Sequence, residues 1–222
     1  MDKRDMKNML IKGAGLLGAV VSEDQADACI FYLFELKKWN QRINLTGVRG
    51  EREVIIKHFL DSLAFLKGIT ATAGTRLIDI GSGAGFPALV IKIARPEICI
   101  TMVESIKKKA SFLRHMIRAM GLVRAEVIDK RTDEIVGSHQ AKFDVVTARA
   151  FADMETALAV GAPFLRPGGI MVLGRGPAEV ATEEGVWKAG MAIERVERFA
   201  LPFSDYGRAV WIFRKAGLGL KI

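Results

Sequence analysis

The chain has 222 residues, half of them hydrophobic, with 33 Lys and Arg against 25 Asp and Glu, a formal net charge of +8. That apolar content excludes a disordered polymer, and the length suffices for one good core. No apolar run approaches the ~20 residues that cross a bilayer, and the excess of cations suits a polyanion, with RNA, DNA and an anionic membrane surface all open on charge alone.

Near the start, Gly13 to Val21 is rich in small residues and follows Lys3, Arg4, Lys7 and Lys12. It is short, interrupted by glycine and without a cleavage site before Ser22, which argues against a signal peptide. Cys29 and Cys99 each sit between apolar neighbours and read as buried, reduced thiols of a cytoplasmic protein, neither a disulfide framework nor a zinc site. Ser22-Glu23-Asp24-Gln25 is a capping-box pattern. It opens a helix that ends near Trp39-Asn40 and puts Ala26, Cys29, Ile30, Leu33 and Leu36 on one face. A second helix from Glu51 to Lys67 carries Ile55, Phe59, Leu63 and Leu66 on a stripe. His58 and Asp61 turn away from that stripe, and their spacing favours an exposed hydrogen-bonded pair over a pair facing a site. Residues 1–70 are thus expected to form a helical N-terminal extension.

From Arg76 the pattern changes to alternating strands and helices, which predicts a mostly parallel sheet covered on both faces over residues 71–222. The predicted strands are Leu77–Ile80, Cys99–Val103, Glu126–Ile128, Asp144–Thr147, Ile170–Leu173, Phe199–Pro202 and Val210–Phe213, with helices at Pro87–Ala94, Lys107–Met120 and Met154–Phe164. The last two strands, joined by Ser204-Asp205-Tyr206-Gly207, read as a hairpin, so the seven-stranded sheet ends mixed.

The first strand runs into Asp79-Ile80-Gly81-Ser82-Gly83-Ala84-Gly85-Phe86-Pro87. Glycines there permit a tight turn and close backbone approach to a ligand, Pro87 suits a first helical turn, and helix-start N–H groups favour electron-rich partners. Two cofactors compete for such a cradle. Gly83-Ala84-Gly85-Phe86-Pro87-Ala88 satisfies the dinucleotide pattern, with Glu104 as the ribose acid 19 residues beyond Gly85. The whole of Asp79-x-Gly81-x-Gly83-x-Gly85 instead resembles the first motif of the class I methyltransferases that use S-adenosylmethionine, whose ribose acid ends the second strand where Glu104 stands. Phe164-Leu165-Arg166-Pro167-Gly168-Gly169 also resembles the turn those enzymes carry before their fifth strand, and a dinucleotide enzyme has no use for it.

Lys107, Lys108 and Lys109 occupy the first turn of the next helix, where positive charge opposes the macrodipole at about 0.3–1 kcal/mol each. Ile106, Ala110, Leu113 and Ile117 are assigned to its buried face, and Lys107, Ser111, Arg114 and Arg118 to a stripe suited to phosphates or to plain solvation. His115 and His139 are isolated, and neither a metal-ligand cluster nor a nucleophilic triad is predicted.

Together the motifs resemble one family from Ala28 to Lys215: the small-subunit ribosomal RNA methyltransferase G family, also called GidB. Trp39-Asn40 with Asn44-Leu45-Thr46, Lys57-His58-Phe59-Leu60-Asp61-Ser62, the Asp79–Pro87 loop, Glu104-Ser105 with Lys108-Lys109 and Phe112-Leu113-Arg114, and Ala148-Arg149-Ala150-Phe151 match its signatures in order. The resemblance implies a Rossmann-like class I methyltransferase fold and methyl transfer from S-adenosylmethionine to N7 of a guanine, nucleotide 527 of 16S rRNA. It implies cofactor binding by Asp79, Gly81, Gly83, Gly85, Phe86, Glu104, Thr132, Asp133 and Arg149. It implies substrate positioning by His58, Lys108, Lys109, Arg131 and Arg208, with no residue acting as general base and no metal. The partner is 16S rRNA or the small ribosomal subunit, and the chain is expected to be a cytoplasmic monomer with no membrane and no stable protein partner. A nicotinamide oxidoreductase and a non-catalytic cofactor- and rRNA-binding protein are the alternatives. Three positions depart from the family pattern: Glu104 for Asp, Ala88 for Gly, and Arg175 for Lys, the last harmless if that position only holds phosphate.

Overall fold

The computed structural model describes residues 1–216 and builds one seven-stranded sheet from them, in the order β3-β2-β1-β4-β5-β7-β6. The strands are β1 (Arg76–Ile80), β2 (Cys99–Val103), β3 (Ala125–Ile128), β4 (Phe143–Arg149), β5 (Leu165–Arg175), β6 (Met191–Ala200) and β7 (Gly207–Lys215). β1 to β5 pair in parallel, and β7 lies antiparallel between β5 and β6, the mixed end that the hairpin predicts.

Successive residues along each strand feed two different cores, as the period of two requires. Leu77, Val145, Val172 and Ile212 point into one core, which α1 (Lys3–Leu16), α2 (Glu23–Asn40), α5 (Ala88–Ala94) and α6 (Lys107–Ala119) cover. Ile78, Val146, Leu173 and Phe213 point into the other, covered by α7 (Thr132–His139), α8 (Met154–Gly161) and α9 (Glu183–Lys188). The first core also takes in Phe59, Leu60 and Phe65, so the extension and the sheet share one apolar interior.

Several elements depart from the sequence reading. α1 escapes the apolar-period test because its buried face includes Gly13 and Ala14; a Cβ on Gly13 would stand 2.6 Å from Leu60 Cδ1, so close approach, not bulk, defines that face. The capping box of α2 is present, with Ser22 and Gln25 exchanging hydrogen bonds. The run from Glu51 to Lys67 is helical but changes pitch: α3 (Glu51–Val54), a π-turn over Ile55–Leu60, α4 (Asp61–Leu63) and a 3-10 turn over Ala64–Lys67. β6 begins at Met191, eight residues before the predicted start, because it is an edge strand whose Ala192, Ile193, Glu194 and Arg195 face solvent and give no apolar alternation. Arg166-Pro167-Gly168-Gly169 does not precede β5 but bulges within it: Phe143 pairs Leu165 and Val145 pairs Ile170. Ile106 is half exposed as the residue before α6, whereas Ala110, Phe112, Leu113 and Met116 form the buried face. Cys29 is buried, but Cys99 is only partly so.

Candidate active site

The loop after β1 takes its shape from three glycines with left-handed backbone, φ +68° at Gly81, +56° at Gly83 and +93° at Gly85. α2 holds it from behind. The Tyr32 hydroxyl donates to the Ala84 carbonyl, its ring stacks on Phe86 at 5.0 Å, and a Cβ on Gly85 would lie 2.8 Å from Tyr32 Oη. Phe86 is therefore a core side chain, also packed edge-on against Phe59.

At the end of β2, Glu104 is buried and both carboxylate oxygens are fixed at 2.8 Å, one by the Gly83 N–H and the other by the Ile106 N–H. Asp79, at the end of β1, is 1% exposed and accepts from Thr147 Oγ1 at 2.7 Å, while its Oδ2 finds no partner among the described residues. Burial pushes the Asp79 carboxyl up to about 6.

Gly81, Glu104, Arg131, Thr132 and Asp133 line one cleft of about 370 Å³ beside Lys130 and Phe151. Thr132 and Asp133 begin α7, and Arg131, the residue before it, is exposed with its Nε 3.2 Å from Asp133 Oδ1. Lys108 and Lys109 stand on the first turn of α6 and do not line this cleft.

A second group gathers around Arg149, where β4 ends. Its Nη1 donates to the Lys57 carbonyl at 3.0 Å and to Asp61 Oδ2 at 3.2 Å, and its guanidinium lies over the Phe86 ring at 5.2 Å. Arg208 at the start of β7 takes the other oxygen of Asp61 at 3.0 Å. His58 stacks on Phe86 at 4.7 Å, and its Nδ1 lies 3.0 Å from the Lys57 carbonyl oxygen and 3.2 Å from Arg149 Nη2. Its Nε2 lies 2.7 Å from Thr46 Oγ1. Burial, then the Arg149 charge, lowers the His58 imidazole to about 3.

His58 and Asp61 are thus no surface pair. The π-turn delivers both to the end of the sheet, where two arginines from distant strands need a carboxylate, a demand invisible in the helix spacing. Arg208 is only partly exposed, and its guanidinium faces Asp61 instead of standing free. Arg175 also departs from the phosphate role: it is buried and donates to the carbonyls of Ala152 and Asp153. Sequence reasoning passed over Tyr32 because a tyrosine on an apolar helix face looks like core, and only the fold aims its hydroxyl at the glycine loop.

A family model described as rRNA small subunit methyltransferase G (GidB) matches residues 25–208. The curated ribosomal RNA small subunit methyltransferase G of Geobacter metallireducens is 36% identical over 93% of this chain and 95% of its own. That of Roseiflexus castenholzii is 42% identical over 84% of this chain and 79% of its own. Among solved structures, the cyclase SpnF superposes with a TM-score of 0.62 at 16% identity, covering 87% of this chain and 96% of that one. A precorrin-6y C5,15-methyltransferase from Geobacter metallireducens gives 0.53 at 15%, covering 69% and 87%. These structural likenesses establish the Rossmann-like methyltransferase fold, which hosts more than one chemistry. The family match and the extent of the curated identities go further, and the chain belongs to the rRNA small subunit methyltransferase G family.

Proposed function

We propose that the methyl acceptor is N7 of a guanine in 16S rRNA, within the S-adenosylmethionine-dependent rRNA methylation that the family performs. The observation that carries the reading is the state of His58. It is the one histidine of the Arg149 cluster, its ring nitrogens are engaged by Thr46, the Lys57 carbonyl and Arg149, and its imidazole is uncharged near neutrality. Methylation at N7 asks for no base, because that nitrogen presents an in-plane lone pair and loses no proton.

S-adenosylmethionine, when bound, supplies an electrophilic methyl group on a cationic sulfur and leaves as a neutral thioether, so the positive charge ends on the guanine. The residues present fit that group. Glu104 offers a carboxylate already oriented by two backbone N–H donors and suited to ribose hydroxyls. Asp79 keeps a buried oxygen, unpartnered among the described residues, that is suited to a cationic or N–H-bearing moiety. Thr132 and Asp133 at the start of α7 are assigned to the adenine side.

Catalysis then rests on alignment, worth up to ~7–11 kcal/mol for well-oriented reactants. Arg149 is held by the Lys57 carbonyl and the Asp61 carboxylate and covers the ring of Phe86, the residue that follows the glycine loop. Exposed Arg131, with Lys108 and Lys109, is assigned to phosphates of the RNA, and the reaction is placed in the cytoplasm. Incubation with labelled S-adenosylmethionine and small subunits from cells lacking this methylation tests the reading, the product nucleoside being identified by mass. 7-Methylguanosine at one site is expected; transfer to another atom or another RNA overturns it.

A further inference from the structure

Phe151 is an aromatic residue that the folded core does not need in its place. It follows β4 by two residues and is 36% exposed, yet it lines the same cleft as Glu104 and Thr132. One edge of its ring lies against the glycine loop, where a Cβ on Gly81 would come within 2.7 Å of Phe151 Cδ2.

The turn that carries it is held hard. Ala150 adopts φ +50°, a left-handed backbone that a residue with a side chain adopts only under constraint. On the far side, the carbonyls of Ala152 and Asp153 accept from the buried Arg175 guanidinium, and the Asp153 carboxylate caps α8 by accepting from the Thr156 N–H at 2.9 Å. Strain, a buried cation and an apolar ring in water all oppose stability. Together they present a flat apolar face at the carboxyl ends of β1 and β4, neighbours in the sheet and the place where open α/β sheets bind ligands.

Glu104 and the start of α7 follow β2 and β3, on one side of β1, and Phe151 follows β4, on the other, and all of them line the same cleft. Building on the proposed N7 reaction, we propose that Phe151 is the platform on which the target guanine stacks. A base presented for chemistry leaves its own stack, and an aromatic side chain replaces the lost contact. The benefit grows along the reaction: N7 methylation makes the guanine cationic, and a cation is drawn to an aromatic face. Stabilisation that strengthens as charge develops raises turnover more than it tightens substrate binding.

Phe151→Ala and Phe151→Trp, compared with the wild type on small subunits, test this. The assays are methyl-transfer kinetics, equilibrium dialysis of labelled S-adenosylmethionine and thermal melting. Phe151→Ala is expected to lower kcat about tenfold to a hundredfold, the range that loss of one base–aromatic stack allows. Its cofactor Kd and melting midpoint stay near wild type, and Phe151→Trp restores most of the rate. Loss of cofactor affinity in step with the rate makes the ring a cofactor wall and overturns the proposal, as does an unchanged rate in Phe151→Ala. If the wild type itself forms no 7-methylguanosine, the substrate reading falls and the stacking proposal with it.

Discussion

Asp79 and His58 show opposite ways in which a single titratable side chain can be set by its surroundings. The Asp79 carboxyl sits at about 6 against an ordinary 3.8, because burial penalises its charge. Its ionised form therefore weighs against the fold above about pH 6, and the penalty is relieved as pH falls from there toward 3.8. Asp79→Asn removes that charge, and at pH 7 its melting midpoint should match or exceed wild type, the gap closing by pH 4. Cofactor affinity should meanwhile fall about tenfold to a hundredfold, the worth of a hydrogen bond to a charged group. Equilibrium binding beside the melts checks both; unaltered affinity removes Asp79 from the cofactor site. The His58 imidazole moves the other way, from 6.5 to about 3. The unfolded chain takes up this proton below 6.5 and the folded chain does not until about 3, so stability is lost across that window. A His58→Asn melting profile should be flatter than wild type between pH 7 and 5. The difference isolates the imidazole, since Asp79 acts alike in both proteins.

At the scale of elements, α2 is a working part of the site. It contributes Tyr32, whose hydroxyl on the Ala84 carbonyl and ring on Phe86 fix the glycine loop from the core side. Tyr32→Phe keeps the packing and leaves a buried carbonyl without its donor, a loss of about 1–3 kcal/mol. Cofactor Kd is expected to rise several-fold, with a modest drop in melting midpoint. A lower midpoint with unaltered Kd identifies Tyr32 as packing alone. The π-turn at Ile55–Leu60 serves the same end by bringing His58 to Phe86 and Asp61 to the two arginines.

For the whole molecule, a net charge of +8 sets how the chain meets its polyanionic substrate. Binding to the small subunit should weaken linearly in a log–log plot against salt, because each phosphate contact releases counterions. Arg131 is exposed, and its side chain pairs with the equally exposed Asp133. Arg131→Ala should make that slope shallower by about one and lower methylation far more than cofactor affinity. Equal losses in both sink its assignment to the RNA. Arg208, clasped to Asp61, is expected to leave the salt slope nearly unchanged when neutralised.

Much of this was legible in the chain itself. The strand–glycine–helix unit, the seven strands and the two core faces follow from local periodicity and from turn chemistry that needs no partner elsewhere. Glu104 was legible for the same reason, since its place at the end of a strand is a matter of spacing. The direction a polar side chain takes is not local. Arg175 turns inward because two carbonyls wait there, Arg208 turns to Asp61, and Asp61 is buried because two strands from far along the chain supply its cations. Most of β6, Met191 to Arg198, was hidden because an edge strand carries its charges on the outside. The sequence by itself determined the sheet, the glycine cradle and the family. Only the tertiary structure decided which cations face solvent and which are spent holding the site, because a charge settles by the partners the fold brings to it.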